Sequence, residues 1–273
     1  MRINQNIASM NAYRNLSVTD NQMAKSLEKL SSGFRINRAA DDAAGLSISE
    51  GLRSQIGGLK VAVRNAQDGV NVVQTADGAL NESTAILQRM RDLAVQASND
   101  GSQDTTAQTA ANTEFQQLNS ELTRISATTS FNGKNLLDGS YAGTFQVGSK
   151  NSASDQITVT LATAVDAAGL GTSAGDLTTT GGAQSAIDLV DTAIGTVNAT
   201  RASLGAYQNR FEHTVNNLNV AVENLSASES QIRDTDMAQE MSNLSRSQIL
   251  QQAGTSMLAQ ANSSQQSILK LLG

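Results

Sequence analysis

No proline, cysteine or tryptophan occurs in the 273 residues, and aromatic side chains make up only 3% of them. Average usage of about 5% would supply roughly 14 prolines. Proline breaks helix interiors, so a chain without it is free to run in long unbroken helices. The missing cysteine excludes a disulfide scaffold and thiolate metal sites; it permits an extracellular life without establishing one. With so few rings, nothing anchors a thick globular core. A net charge of −6 and a pI near 4.8 argue against a nucleic-acid partner, whose phosphates select basic surfaces. No run approaches about 18 consecutive apolar residues, so no membrane span is expected. The start of the chain lacks a basic region followed by an apolar core, so no conventional secretion signal is expected either.

What the chain does contain is a stripe that occurs twice. Counting in sevens from Leu52 reaches Leu59, Ala66, Val73, Leu80, Leu87 and Ala94 without meeting a polar residue. Counting in sevens from Val190 reaches Val197, Leu204, Phe211, Leu218, Leu225 and Ile232, again unbroken. Ile56, Val63, Val70, Ile187, Ile194, Val215 and Val222 fill the other half of the heptad for part of each run. This is the pattern of a coiled-coil seam. At 1.5 Å per residue each run extends about 63 Å, and the matched lengths predict that the chain runs out along one helix and returns along the other. The expected fold class is mainly α: a long antiparallel coiled-coil-like helical rod with a small β-hairpin, plus paired terminal helices.

A shorter helix is expected from about Thr106 to Thr129, with Ala111, Phe115, Leu118, Leu122 and Ile125 as its stripe. The turn-forming cluster from Ser98 to Ser102 folds it back along the first rod. Asn132-Gly133 then accepts positive φ in a turn. Beyond it the periodicity changes to alternation, with Phe145 and Val147 on one strand and Ile157, Val159 and Leu161 on the next. The stretch from Ala162 to Gly182, rich in Gly, Ala, Thr and Ser, reads as an exposed tip and the least constrained part of the chain.

Both ends carry weaker helical stripes. Ile3, Ile7 and Met10, then Leu27 and Leu30, stand out at the start; Leu250, Met257, Ile268 and Leu272 stand out at the end, amid Gln, Ser and Asn. Their apolar side chains are too few to offset the entropy of ordering the backbone. The ends therefore need partners to cover them. Identical copies can supply that cover, and if the contacting surfaces differ, the contact repeats without closing and generates a helical polymer.

At this point the residues resemble a family. The segments from Leu30 to Leu59 (LSSGFRINRAADDAAGLSISEGLRSQIGGL), from Asn65 to Glu82 (NAQDGVNVVQTADGALNE) and from Ile86 to Ala97 (ILQRMRDLAVQA) are similar to the N-terminal signature of bacterial flagellins. The segment from Leu204 to Met241 resembles the C-terminal region of that family, and SILKLLG, from Ser267 to Gly273, resembles its terminus. The resemblance covers nearly everything outside residues 141–182. It implies a filament subunit in a short two-domain form: an inner domain of residues 1–42 and 235–273, and a rod domain of residues 43–234 with a hairpin at about 143–162 and the tip at about 162–182. It also implies identical subunits in a helical filament, flagellar cap and hook-associated proteins and an export chaperone as partners, type III export, and a place in the extracellular filament. A hook–filament junction protein and an exported membrane-binding coiled-coil effector are the rivals. The DDAAGL and QTADGAL motifs favour the first reading, and the ends lack the Lys/Arg-rich polar face of membrane-surface helices.

Smaller signals are weighed against plain structural roles. In flagellins that alert innate immunity, residues matching Arg89, Leu93, Gln96 and Glu114 engage the flagellin-sensing Toll-like receptor, so the resemblance implies a possible ligand of that receptor; packing against the third helix or a neighbouring subunit is the favoured reading of Leu93. Gly33, Gly45, Gly51 and Gly57-Gly58 read either as a designed connection between inner and outer parts or as an irregular linker. Asp41-Asp42 and Asp234/Asp236 read as helix caps rather than acid–base pairs. His213, the only histidine, is expected to face outward, and one histidine cannot form an HExxH zinc site. Gly169-Leu170-Gly171 lacks the frame of a phosphate loop. No catalytic, metal-binding or cofactor-binding residue is expected.

Overall fold

The computed structural model describes residues 5–101 and 103–272, the side chains at 265 and 267–272 excepted. Five α-helices dominate the described residues: α1 (Ile7–Ser32), α2 (Ala43–Ala97), α3 (Thr105–Thr128), α4 (Thr180–Arg233) and α5 (Met237–Leu272). Four short strands lie between α3 and α4: β1 (Ser130–Phe131), β2 (Lys134–Asn135), β3 (Tyr141–Gln146) and β4 (Gln156–Leu161). They form two antiparallel hairpins, β1–β2 and β3–β4. Asn132 and Gly133 make the two-residue turn of the first, with φ of 49° and 76°, as the Asn-Gly pair predicts. In the second, Tyr141 pairs with Leu161 and Phe145 with Ile157. Ile157, Val159 and Leu161 all point into the core.

By packing, the chain forms two compact units: a terminal unit of residues 1–56 and 223–273, and a central unit of residues 57–222. The sequence placed the division at 42/43 and 234/235. Ion pairs explain the difference, because Arg233 reaches Glu50 at 2.5 Å and Arg53 reaches Glu229 at 3.5 Å. These clamp the start of α2 to the end of α4 within the terminal unit. Gly51, Gly57 and Gly58 lie inside α2, so they do not form a linker. Gly33 does have a backbone role, ending α1 in the left-handed region at φ 75° with its N–H donated to the Lys29 carbonyl.

In the central unit α2 and α4 pack antiparallel. Arg201 bonds Asp77 at 2.9 Å and Arg91 bonds Asp191 at 2.6 Å. The sevenfold positions are buried from Ala66 to Ala94 and from Val190 to Leu218, while Leu59 and the companion positions Val70, Ile187, Ile194 and Val215 are half-buried. Gly69 lets α2 approach the Phe211 ring, which stands edge-on to Phe145 of the hairpin at 5.3 Å and 83°. α3, capped by the Asp104 side chain accepting from the Ala107 N–H, folds back on α2. Its buried stripe includes Ala111, Phe115 and Leu122, but also Gln108, Asn119 and Ser126, whereas Leu118 and Ile125 are only half-buried. Each buried polar side chain has a partner: Gln108 donates to the Ala97 carbonyl, Ser126 to the Leu137 carbonyl, and Asn119 exchanges bonds with Thr172.

That last contact corrects the expectation of an exposed tip at residues 162–182. Val165, Ala167, Leu170, Thr172 and Leu177 are buried, and the segment forms a strap along α3. Gln116 donates to the Gly175 carbonyl, and the Leu177 N–H donates to Asn112. The Val165 N–H bonds the Leu137 carbonyl beside a bridge between Asp138 and Ala164. Little apolar periodicity is visible in the sequence because the strap's one regular element is a single 3-10 turn at Thr172–Ala174; the rest is held residue by residue.

Candidate functional site

The terminal unit places α1 against α5 in antiparallel order. The Asn6 amide donates to the Ala261 carbonyl at 3.0 Å, Leu16 packs over Gly254, and Gln251 donates to Asp20 at 2.9 Å. The Asn6 side chain also caps α1 by accepting from the Ser9 N–H. Asp236 caps α5, accepting from the N–H groups of Ala238 and Gln239. Asp42 caps α2 through the Gly45 N–H. Asp41 accepts from the Arg38 N–H, and that bond holds its carboxyl below the ordinary aspartate value. Asp41, Asp42 and Asp236 therefore serve backbone N–H groups, as expected of caps, whereas the Asp234 carboxylate accepts from the Ser230 hydroxyl at 2.6 Å.

A cross-link joins the segments flanking these helices. Phe34 bridges Asp234, the Arg35 N–H donates to the Arg233 carbonyl at 2.6 Å, and the Thr235 N–H donates to the Gly33 carbonyl. The Arg233 guanidinium sits 4.8 Å above the Phe34 ring.

The interior of the α1/α5 pair is mostly small or polar: Thr19, Ser26, Glu240 and Ser247 are buried, with Leu244 the one large apolar residue among them. The large apolar side chains face outward instead. Ile7, Met10, Leu27, Leu250 and Met257 are between 49% and 65% exposed, and Tyr13, Val18, Met241 and Ile249 are exposed beside them. Met10, Tyr13, Val18 and Leu258 line an open groove of about 620 Å³. Leu30 is half-buried. Ile3 lies outside the described residues, as do the side chains of Ile268 and Leu272. Ser9, Arg14, Ser17 and Asn262 rim the same groove, and exposed apolar side chains gathered within a polar rim are the kind of surface that marks an interaction face.

On the central unit, Arg89 and Glu114 meet in an ion pair at 2.7 Å, both about half exposed, and Gln96 is exposed. Leu93 is only 3% exposed and belongs to the core with Met90 and Ala97. It stands on the side of α2 from which Gln108 reaches Ala97, so it does not share the open face of Arg89 and Gln96. His213 is exposed on α4. Among the described residues no group of three His, Asp or Glu is placed to hold a metal ion, and no helix is long and apolar enough to cross a membrane.

Paired terminal helices with an outward apolar surface, joined in sequence to a helical unit locked by ion pairs and hairpins, define a helical structural subunit. Comparison with known proteins gives the particular family. The family model for the bacterial flagellin N-terminal helical region matches residues 3–142, and that for the C-terminal helical region matches residues 187–272. A flagellin of Halalkalibacterium halodurans is 52% identical over 274 residues, covering 100% of both chains. A flagellin of Bacillus subtilis is 47% identical over 305 residues, also covering 100% of both. The crystal structure of Bacillus cereus flagellin aligns with a TM-score of 0.50 at 34% identity, over 57% of this chain and 88% of that one. The chain belongs to the bacterial flagellins, the structural subunits that assemble into the flagellar filament.

Proposed function

We propose that α1 and α5 form the inner layer of the filament, and that Ile7, Met10, Leu27, Leu30, Leu250 and Met257 are its burial sites, together with Ile3, Ile268 and Leu272. The supporting observation is in the α1/α5 pair, where Ile7, Met10, Leu27, Leu250 and Met257 stand exposed while Thr19, Ser26, Glu240 and Ser247 are buried. Burying such a side chain is worth about 1.5–3 kcal/mol, so an outward stripe of them favours association strongly. Identical copies supply that cover through a heterologous contact, which propagates as a helix. The motility filament outside the cell is the destination. The same need for cover underlies the other partners: an export chaperone shields α5 before passage through the flagellar type III apparatus, and cap and hook-associated proteins cover the surface at the two ends of the filament.

The test is the pair of substitutions Met257→Asp and Ile268→Asp. Loss of filament growth on added seeds, with the central unit still folded by circular dichroism, is the expected result. Filaments of normal length from this variant end the proposal.

A second reading concerns the open side of α2 and α3. The Arg89–Glu114 pair and Gln96 present polar groups there, supporting a contact with the flagellin-sensing Toll-like receptor, with Leu93 supporting the face from beneath rather than touching the receptor. Arg89→Ala is expected to lower potency in a receptor reporter assay on unassembled protein. Equal potency refutes a role for that residue.

A further inference from the structure

The chain contains 7 methionines, and their placement is uneven. Met90 is fully buried in the central unit, whereas Met10, Met237, Met241 and Met257 are 48–65% exposed, all of them on α1 or α5. The neighbouring outward residues Ile7, Leu27, Ile249 and Leu250 are hydrocarbons that peroxides do not attack. The exposed thioethers are the soft, oxidisable positions on an otherwise inert apolar surface.

We propose that these four methionines make the terminal surface a reversible oxidation site, at which hydroperoxides block the unassembled subunit from polymerising. The inference rests on the reading of that surface as the assembly face. In the step itself a sulfur lone pair attacks the terminal oxygen of the hydroperoxide. The O–O bond breaks, an S–O bond forms, and the departing oxygen takes up a proton to leave as water or an alcohol. Sulfur is oxidised by two electrons and the peroxide is reduced by two.

The product sulfoxide is polar and chiral, and its oxygen is a hydrogen-bond acceptor. In solution water satisfies it. Between subunits that water is stripped away, and the sulfoxide must take a donor from groups such as Ser9, Arg14 or Asn262, which line the groove beside Met10; replacing an apolar thioether by a polar group that has to be desolvated opposes association. A filament covers the same sulfurs, so the block falls on subunits that have not yet assembled. Methionine sulfoxide reductases of the two epimer specificities restore the thioether.

The test compares seeded elongation by the parent chain and by a Met10→Leu, Met237→Leu, Met241→Leu, Met257→Leu variant, before and after hydrogen peroxide. Mass spectrometry counts the sulfoxides, and leucine preserves volume and apolar character. The oxidised parent is expected to elongate about tenfold more slowly or worse. The oxidised variant keeps its rate, reductase treatment restores the parent, and the preassembled filament resists oxidation at the four positions. An oxidised parent that elongates normally with all four sulfoxides present overturns the inference, as does an oxidised variant that stops alongside it. Failure of the untreated parent to elongate overturns the assembly reading itself and is visible before any peroxide is added.

Discussion

Replacing one helical glycine by alanine is expected to have opposite effects at two places in α2. Gly69 and Gly78 both lie in the helix interior, where alanine is favoured over glycine by about 1 kcal/mol. At Gly78 a new methyl meets nothing within 4 Å, so that gain is the whole effect. At Gly69 the methyl lands 2.6, 2.8 and 2.9 Å from three edge atoms of Phe211. Ordinary carbon contacts are about 3.5–4.0 Å, so the overlap is close to 1 Å. Phe211 has no exposed surface and is held edge-on by Phe145, which leaves the ring little room to yield. Overpacking of this kind costs about 1–3 kcal/mol. The net effect at Gly69 is therefore a destabilisation of up to about 2 kcal/mol, against a stabilisation of up to about 1 kcal/mol at Gly78. For a unit of this size, 1 kcal/mol moves the Tm by roughly 2–4 °C. Thermal unfolding followed by circular dichroism is expected to show Tm falling for Gly69→Ala and rising for Gly78→Ala. If both substitutions raise Tm equally, the packing of Phe211 against α2 described above is wrong.

Three further outcomes follow from the contacts. Asn119→Leu leaves the buried Thr172 hydroxyl and carbonyl without their main partner; it should cost about 1–3 kcal/mol and open the strap to proteolysis within residues 162–179, and an unchanged cleavage rate refutes the anchoring role. Arg233→Ala removes both the Glu50 ion pair and the Phe34 stacking; the amides of Arg35 and Thr235 should exchange faster while those of α3 keep their rates, and unaltered exchange at all of them contradicts the cross-link. Burial raises the ionisation of Tyr141 above its ordinary value of about 10. Above that pH the unfolded chain loses the phenolic proton before the folded one does, so this group lowers stability as pH rises past 10. Tyr141→Phe should flatten the alkaline limb of a denaturation series, and an identical limb rejects the assignment.

The heptad positions made the long helices readable, because a stripe repeated every seven residues has few other uses in a chain without proline. The Asn132-Gly133 turn and the alternation of Ile157, Val159 and Leu161 were equally direct. The strap over α3 was not legible. Its apolar residues Val165, Leu170 and Leu177 follow no period, and its placement depends on pairings between Asn112, Gln116 and Asn119 and backbone groups distant in sequence. The same cause hid the true inner face of α3, where Gln108, Asn119 and Ser126 are buried in preference to Leu118 and Ile125. Hydrophobicity cannot reveal a buried polar residue whose partner comes from a loop.

The terminal helices divided in the same way. Their outward residues were visible as apolar stripes amid Gln, Ser and Asn. That Thr19, Ser26 and Ser247 form the inward side, leaving Ile7, Met10 and Met257 outside, required the α1/α5 pairing. Leu93 was ambiguous in sequence because it lies between the seam and the surface; the proximity of α3 puts it inside.

Hydrogen exchange of the free subunit and of the filament, compared peptide by peptide, tests the central claim most directly. The account predicts that α1 and the described part of α5 exchange rapidly in the free chain and become strongly protected in the filament, while α3 changes little. Terminal helices already fully protected in the free chain, or left unprotected after assembly, contradict it.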